Sequence, residues 1–260
     1  MTNAVADVKS IQSIERAAAI LRLLSGRSRR LGVVEIAGEL DLAKATAHGI
    51  LRTLTHVGFV EQDPESGKYQ LGAALLHIGS SYLDGNELRT RALNWSDSLA
   101  SRTNEAVRIG TLHDGQVLVV HHVFRPDDTR QVLEVGALLP AHATALGKML
   151  LAEHAYAAAE CVKAGLPRYT AATIVEGEQL QLALTLIKDR GWAADLEEFV
   201  PDEAAYAAPI KDRRGDTVGA IGISGPSERL CVKGKTRSDL AASVREAARS
   251  ISRELGAMPG

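Results

Sequence analysis

Residues 33–71 read VVEIAGELDLAKATAHGILRTLTHVGFVEQDPESGKYQL, and their spacing predicts two short helices followed by a β-hairpin. In both helices the apolar residues recur at intervals of three and four, which places them on one face. They are Val33, Val34, Ile36, Ala37 and Leu40 in the first helix and Ala47, Ile50, Leu51 and Leu54 in the second. Only Asp41, Leu42 and Ala43 separate the two helices. Glycine is usual in so tight a turn, but aspartate also tolerates a left-handed backbone.

A hairpin is predicted directly after the second of these helices. Its arms are residues 59–62 and 68–71, which alternate in character, and Asp63-Pro64-Glu65-Ser66-Gly67 forms the turn. Upstream, a further helix is predicted from the apolar face of Ile11, Ile14, Ala18, Leu21 and Leu24, with Ser10 as its N-cap. The order helix, helix, turn, helix, hairpin is that of a winged helix-turn-helix. We therefore expect a flexible arm over residues 1–9 and a DNA-binding domain over residues 10–72.

The helix after the turn presents a polar face that a major groove would meet. The predicted DNA contacts are Lys44, Ala45, Thr46, His48, Gly49 and Arg52, together with Lys68 in the hairpin. The alternative is a small helical subdomain with a solvated polar face. Charge does not decide between them, because residues 1–86 hold nine Lys and Arg against nine Asp and Glu, a difference of zero. The positive charge is clustered in Arg27, Arg29, Arg30, Lys44 and Arg52.

Composition limits the class of protein. With 260 residues and 45% hydrophobic content, the chain suits two modest domains, and its formal net charge of −2 excludes a strongly basic nucleic-acid coat protein. No apolar run approaches the ~20 residues of a membrane span, and the polar N-terminus is not a signal peptide, so we expect a cytoplasmic protein without a membrane partner. Cys161 and Cys231 are far apart, which argues against a disulfide framework or a zinc site.

After the hairpin, a helix is predicted over residues 71–82, broken at Gly85-Asn86, which makes residues 73–86 a linker helix. Residues 87–260 form the second domain. Its predicted helices are 87–101, 143–154, 178–190 and 238–255, and its predicted strands are 106–112, 117–124, 131–135, 204–210 and 218–224. This mixed order predicts an α+β sensor domain with an antiparallel sheet.

Motifs spread over nearly the whole chain resemble the IclR family of transcriptional regulators. In chain order they are Arg16, IA (36–37), LAKATAH (42–48), YQLG (69–72), PAHATALGK (140–148), DLEE (195–198), AAP (207–209) and ISGP (223–226). Within the family, VKSIQS (8–13), TAHGILRTL (46–54) and HHVFRPDD (121–128) are most similar to the glycerol operon regulators of actinomycetes. The resemblance implies an N-terminal winged helix-turn-helix that binds double-stranded operator DNA, a linker helix, and a C-terminal GAF-like domain that binds a small effector. It also implies a homodimer or tetramer.

By resemblance, the effector site consists of Ala145, Leu146, Asp195, Ala205, Gly222 and Ser224. Amides at the start of a helix around Ala145 would hold an anionic or carbonyl oxygen, and Asp195 would accept hydroxyl protons. The family pattern for small carboxylates has cysteine at position 205 and serine at 222, so a bulkier or polyhydroxylated ligand is expected here. Glycerol 3-phosphate or glycerol is the effector that the resemblance implies. Many relatives also carry arginine where this chain has Gly49.

Several polar residues have plainer interpretations. Without the resemblance, Asp195 would be a surface carboxylate of the acidic run 195–198, and His142 is equally compatible with binding an anion or capping a helix. His121 and His122 point to opposite faces of a strand and cannot share a metal. An enzyme using His142, Lys148 or Asp195 is the rival class, but no nucleophile elbow, metal cluster or phosphate loop supports it. We therefore expect no catalytic residue, cofactor or metal. A sensor that has lost DNA binding is the third possibility.

Overall fold

The computed structural model describes residues 11–26, 30–127 and 131–258. They form two compact units, divided between Gly85 and Asn86. The predicted arm 1–9, the predicted cap Ser10, two arginines of the basic cluster, Arg27 and Arg29, and Asp128 lie outside the described residues. None of the described helices combines the length and the apolar character that crossing a membrane requires.

The first unit is a winged helix-turn-helix followed by one more helix, as the sequence predicts. Its elements are α1 (Gln12–Leu24), α2 (Val33–Glu39), α3 (Lys44–His56), β1 (Val60–Gln62), β2 (Tyr69–Leu71) and α4 (Ala74–Asp84). Strands β1 and β2 pair antiparallel, and Leu31 adds a bridge to Tyr69. In the turn between α2 and α3, Asp41 has a φ of 50°, the left-handed conformation predicted for it.

The core of the first unit forms where α1, α2, α3 and the hairpin meet. Its fully or almost fully buried side chains are Ile20, Leu24, Ile36, Leu51, Leu54, Val60 and Tyr69. Ile14, on the predicted apolar face of α1, and Ile11, which precedes the helix, do not join this core, since both are 63% exposed. The side chains of α1 that pack against this core begin only at Ala17.

Helix α4 contributes nothing to this core. It has no buried residue, and its apolar side chains Leu76, Ile78 and Tyr82 are more than half exposed. Apolar area of this kind costs free energy in water. Helix α4 therefore leaves an apolar surface without a cover in its own unit.

The second unit is an α/β domain built on a six-stranded antiparallel sheet in the order β5-β4-β3-β8-β7-β6. Its strands are β3 (Ala106–His113), β4 (Gln116–Val123), β5 (Leu138–Pro140), β6 (Ala193–Leu196), β7 (Glu203–Lys211) and β8 (Thr217–Pro226), with a separate small pair β9 (Cys231–Val232) and β10 (Lys235–Thr236). Its helices are α5 (Glu87–Thr103), α6 (Ala145–Glu153), α7 (Ala155–Ala164), α8 (Gly177–Arg190), α9 (Ser227–Leu230) and α10 (Ser238–Glu254).

The two faces of the sheet carry different helices. Ala207 packs with α6 and α8 in the main core, whereas its neighbour Ala208 faces α10. Helix α10 also packs on α5, and the pair covers the second face. Helix α6 is buried along most of its length and contacts β3, β6, β7 and β8, so its N-terminus is fixed over the middle of the sheet.

Several elements differ from the sequence prediction. The strand predicted over residues 131–135 is wrong, and the sheet gains β5 slightly later instead. Gly136 has a φ of 87° and turns the chain, while the Gln131 amide bonds to the backbone N–H and C=O of Arg125 rather than to a strand. Helices α7 and α9 and strands β6, β9 and β10 were not predicted.

Gly147 allows the close approach of α6 to the chain before it. A Cβ at this position would lie 2.2 Å from the Ala141 carbonyl oxygen, whereas a Cβ at Gly38 in α2 would meet nothing within 4 Å. We expect Gly147→Ala to destabilise the second unit by about 1–3 kcal/mol through overpacking. Gly38→Ala, the matched control, should stabilise the first unit by roughly 0.5–1 kcal/mol because alanine favours helix. Differential scanning calorimetry of the full chain measures both, and a stabilised Gly147→Ala variant would contradict the packing.

Candidate functional site

A cavity of about 80 Å³ lies between the N-terminus of α6 and the sheet of the second unit. All six residues that sequence analysis assigned to the effector site line it: Ala145, Leu146, Asp195, Ala205, Gly222 and Ser224. The cavity is small beside the ~300–1,000 Å³ of pockets for drug-sized ligands. It suits a ligand of a few heavy atoms.

The register of three adjacent strands explains why residues distant in sequence meet here. Asp195 of β6 lies opposite Ala205 of β7, and Ala205 lies opposite Ser224 of β8. Side chains of directly opposed residues in antiparallel strands have Cβ atoms ~5 Å apart. A carboxyl group and a hydroxyl group are thus held on either side of a small alanine, in rigid strands rather than in loops.

The N-terminus of α6 supplies backbone donors. Thr144 is its N-cap: the Thr144 hydroxyl accepts from the Gly147 N–H at 3.2 Å and donates to the Pro140 carbonyl at 2.8 Å. No described residue accepts a hydrogen bond from the N–H of Ala145 or Leu146. Together with the partial positive charge of a helix N-terminus, these amides favour an oxygen-bearing or anionic group.

Asp195 is buried, so its interpretation as a surface carboxylate of an acidic run is wrong. Its Oδ1 accepts the Glu198 N–H at 2.7 Å. Burial raises the pKa of Asp195 to about 7, against the opposing effects of this amide and of the Lys148 ammonium. Lys148 forms a buried ion pair with Glu198. Asp195 is therefore a carboxyl group that changes its charge near neutral pH.

Arg108 and Glu134 also line the cavity, and sequence reasoning missed both. Arg108 donates from Nη1 to the Ser224 hydroxyl, and its Nε lies 2.5 Å from Glu134 Oε2. Although this carboxylate lies close, Nε has no hydrogen-bond acceptor among the described residues. The available signal was an arginine within the apolar run AVRIGTL of β3.

His122 fixes the backbone that carries Glu134. Its Nδ1 accepts the Glu134 N–H at 3.2 Å. Burial, aided by the Arg108 charge, lowers the pKa of His122 to about 4, so the ring is neutral at pH 7. His122 therefore has a structural role beside the cavity.

His142 takes neither role considered for it. The ring is buried, its Nε2 lies 2.9 Å from the Pro167 carbonyl oxygen, and it packs against Tyr169. Thr144 caps the helix instead, and His142 is not among the residues that line the cavity. His142 thus anchors the segment at Pro167.

Glycine at position 222 leaves no open space, so the expected bulkier or polyhydroxylated ligand, which stays a prediction, would gain no room there. A Cβ at Gly222 would lie 2.5 Å from the Tyr206 carbonyl oxygen, so the neighbouring strand already occupies that space. Phe199 and Val200, from the segment between β6 and β7, close another side of the cavity. The hydroxyls of Thr170 and Thr173 hold this segment by donating to the carbonyls of Glu197 and Glu198 at 2.6 Å.

In the first unit, α3 exposes the face predicted to contact DNA. Lys44, Ala45, His48 and Arg52 are exposed, whereas Thr46 and Gly49 are half-buried. A Cβ at Gly49 would meet nothing within 4 Å, so this position opens to the surface. The Lys68 ammonium lies 3.8 Å from Glu35, and Arg30 pairs with Asp63 at 3.2 Å. These two pairs reduce the free positive charge of the hairpin side.

Comparison with known proteins covers both units. Residues 13–64 match the IclR helix-turn-helix domain, and residues 80–253 match the bacterial transcriptional regulator IclR C-terminal domain. The chain is similar to the glycerol operon regulatory proteins of Streptomyces coelicolor (55% identical) and Streptomyces griseus (54%), over 96% of this chain and 98% of each relative. A crystal structure of an IclR transcriptional regulator from Alicyclobacillus acidocaldarius, 26% identical, superposes with a TM-score of 0.81 over 95% of this chain and all of that one.

The raised pKa of Asp195 predicts a pH-dependent stability. In the folded state the carboxyl keeps its proton up to its raised pKa of about 7, but in the unfolded state only up to its ordinary pKa of 3.8. The contribution of Asp195 to stability is therefore full below pH 4 and is lost as the pH rises to 7. Asparagine cannot ionise, so Asp195→Asn removes this loss. The free energy of unfolding of the variant, relative to that of the parent, should therefore rise between pH 4 and 7 by up to a few kcal/mol. Urea titrations from pH 4 to 9 measure the gain, and an unchanged difference over that range would contradict it.

Proposed function

We propose that this chain, which belongs to the IclR family of bacterial transcriptional regulators, controls genes of glycerol use in response to glycerol 3-phosphate or glycerol. The chain is a DNA-binding regulator and not an enzyme, and it binds its small-molecule effector through the C-terminal domain. The glycerol assignment is supported by the names of the two Streptomyces relatives, which are similar to this chain over almost its whole length.

The observation that carries the ligand proposal is the cavity over β6, β7 and β8. Its volume of about 80 Å³ suits a three-carbon compound. Asp195 is placed to accept hydrogen bonds from hydroxyls, and Ser224 offers a hydroxyl of its own. The amides at the start of α6 offer donors to a phosphate or to a further hydroxyl oxygen. A polyol or its phosphate ester uses all of these groups.

For DNA, we propose that α3 enters the major groove and that the exposed His48 and Arg52 reach the bases. Lys44 and Lys68 would contact phosphates on either side. The half-buried Gly49 supplies no side chain, so operator recognition rests on fewer side chains than in relatives with arginine at this position.

We also propose that the protein acts as a homodimer on a partly palindromic operator. The support is the apolar surface of α4 together with Ile14 of α1 and the preceding Ile11, all exposed within the first unit. A second copy of the chain would bury such a surface, because a two-fold symmetric dimer brings the same apolar patch of both subunits together. Pairing would also place two α3 helices on one operator.

Replacement of Arg52 by alanine should weaken operator binding. The loss of one good base contact costs roughly 1–3 kcal/mol, which is about five- to 150-fold in the dissociation constant. Arg214→Ala, which removes an exposed arginine of the second unit, is the matched control and should have no effect. Gel shifts with the DNA upstream of the regulated genes measure this. Unchanged affinity in both His48→Ala and Arg52→Ala would exclude α3 from base recognition, and no shift for the parent would favour a sensor without DNA binding.

Two further variants separate the ligand site from its coupling to DNA. Asp195→Ala should leave operator affinity without effector nearly intact and abolish the response to effector, because it removes the carboxyl group that would accept hydrogen bonds from the effector. Leu76→Pro should interrupt α4, the covalent connection between the units, and leave effector affinity near normal while the response is lost. Calorimetry and gel shifts on the same preparations measure both properties. A normal response in either variant means that the site or the route, respectively, lies elsewhere.

A further inference from the structure

The side chains that line the cavity include more acidic groups than basic ones. Among the described residues that line it, Arg108 is the one cationic side chain, and Glu134, Asp195 and Glu203 are the carboxylates. Arg108 stands on β3 in the middle of the sheet, opposite His122 on one side and Gly222 on the other. The glycine leaves no side chain between the guanidinium and the neighbouring strand β8.

The guanidinium is only partly used. Nη1 donates to the Ser224 hydroxyl, Nε has no aligned acceptor, and no described residue accepts from Nη2. About a fifth of the Arg108 side chain remains exposed. An arginine fork matches the oxygens of a phosphate or carboxylate through two parallel hydrogen bonds. Arg108 therefore has N–H donors at the wall of the cavity that no described residue accepts from.

Glu134 is the counter-ion of Arg108 in this structure. Its carboxylate is near Nε, and it belongs to the irregular segment that replaces the predicted strand over residues 131–135. An anionic ligand group that reached Arg108 would compete with this carboxylate and be repelled by it. Glu134 should therefore oppose anion binding, although it balances the charge of Arg108.

We infer that Arg108 is the residue that recognises the anionic group of the effector, a phosphomonoester, and that Glu134 is an internal competitor which that group displaces. The inference rests on the proposed effector site but goes beyond it, because it assigns the choice between a polyol and its phosphate ester to a single ion pair. Asp195 and the amides of α6 would then serve the hydroxyl end of the ligand.

The two partners of the pair should respond in opposite directions, which a purely structural ion pair would not do. Arg108→Gln should weaken glycerol 3-phosphate binding by about ten- to hundredfold, with glycerol affinity changed less than about threefold. Glu134→Gln should strengthen glycerol 3-phosphate binding severalfold. Arg108→Lys, which keeps the charge without the fork, should fall between Arg108→Gln and the parent. Arg102→Gln is the matched control, since Arg102 is also ion-paired, to Glu246 at 2.7 Å, but lies outside the cavity lining.

Isothermal calorimetry of the full chain with glycerol 3-phosphate, glycerol and inorganic phosphate is the test, with circular dichroism to verify the fold of each variant. Equal losses for glycerol 3-phosphate and glycerol in Arg108→Gln, or weaker glycerol 3-phosphate binding in Glu134→Gln, would overturn the inference. If Arg108→Gln misfolds, Glu134→Gln and Arg108→Lys decide alone. Should the parent bind phosphate through Arg108 but neither glycerol compound, the glycerol assignment fails while the inference stands. If the parent binds none of the three, both fail.

Discussion

The antiparallel register of β6, β7, β8 and β3 is the constraint on which the sensor unit depends. A shift of one residue between β6 and β7 would turn Asp195 to the opposite face of the sheet, because side chains alternate along a strand. The hydrogen bond from the Glu198 N–H to Asp195 and the buried pair of Glu198 with Lys148 then lock the end of β6 onto α6. The cavity is therefore a product of strand pairing, which positions Asp195, Ser224 and Arg108 without a loop.

Electrostatics gives the cavity two halves of different character. At one end, Asp195 lies near the start of α6 and has been made a weak acid by burial, so a hydroxyl can approach it without a large charge being present. At the other end, Arg108 and Glu134 carry full and opposite charges side by side. A ligand with hydroxyls at one end and negative charge at the other matches this division. The small volume keeps those two ends a few bonds apart.

The sequence was most informative where a local pattern sets the structure. The helix-turn-helix followed from apolar spacing and from an aspartate in the turn, and the hairpin followed from Asp63 to Gly67. Residues of the cavity came from family resemblance, not from periodicity, since β6 is only four residues long and its polar Asp195 resembles a surface carboxylate. Arg108 and Glu134 were missed because their importance arises from a contact between β3 and the irregular segment 131–135, which no local pattern encodes. Similarly, the exposure of Ile11 and Ile14 depends on where the packed part of α1 begins, which no local pattern encodes.

A recognition helix must both pack in its domain and contact DNA, and these two requirements are usually hard to change separately. At Gly49 they are separate. The residues of α3 that hold the fold, Ala47, Leu51 and Leu54, lie on its other side, and nothing surrounds the missing side chain at position 49. Almost any residue introduced there meets solvent rather than protein, and it also removes the helix penalty of glycine. Position 49 can therefore change in evolution almost without cost to the fold. Single substitutions there can alter operator recognition without passing through misfolded intermediates.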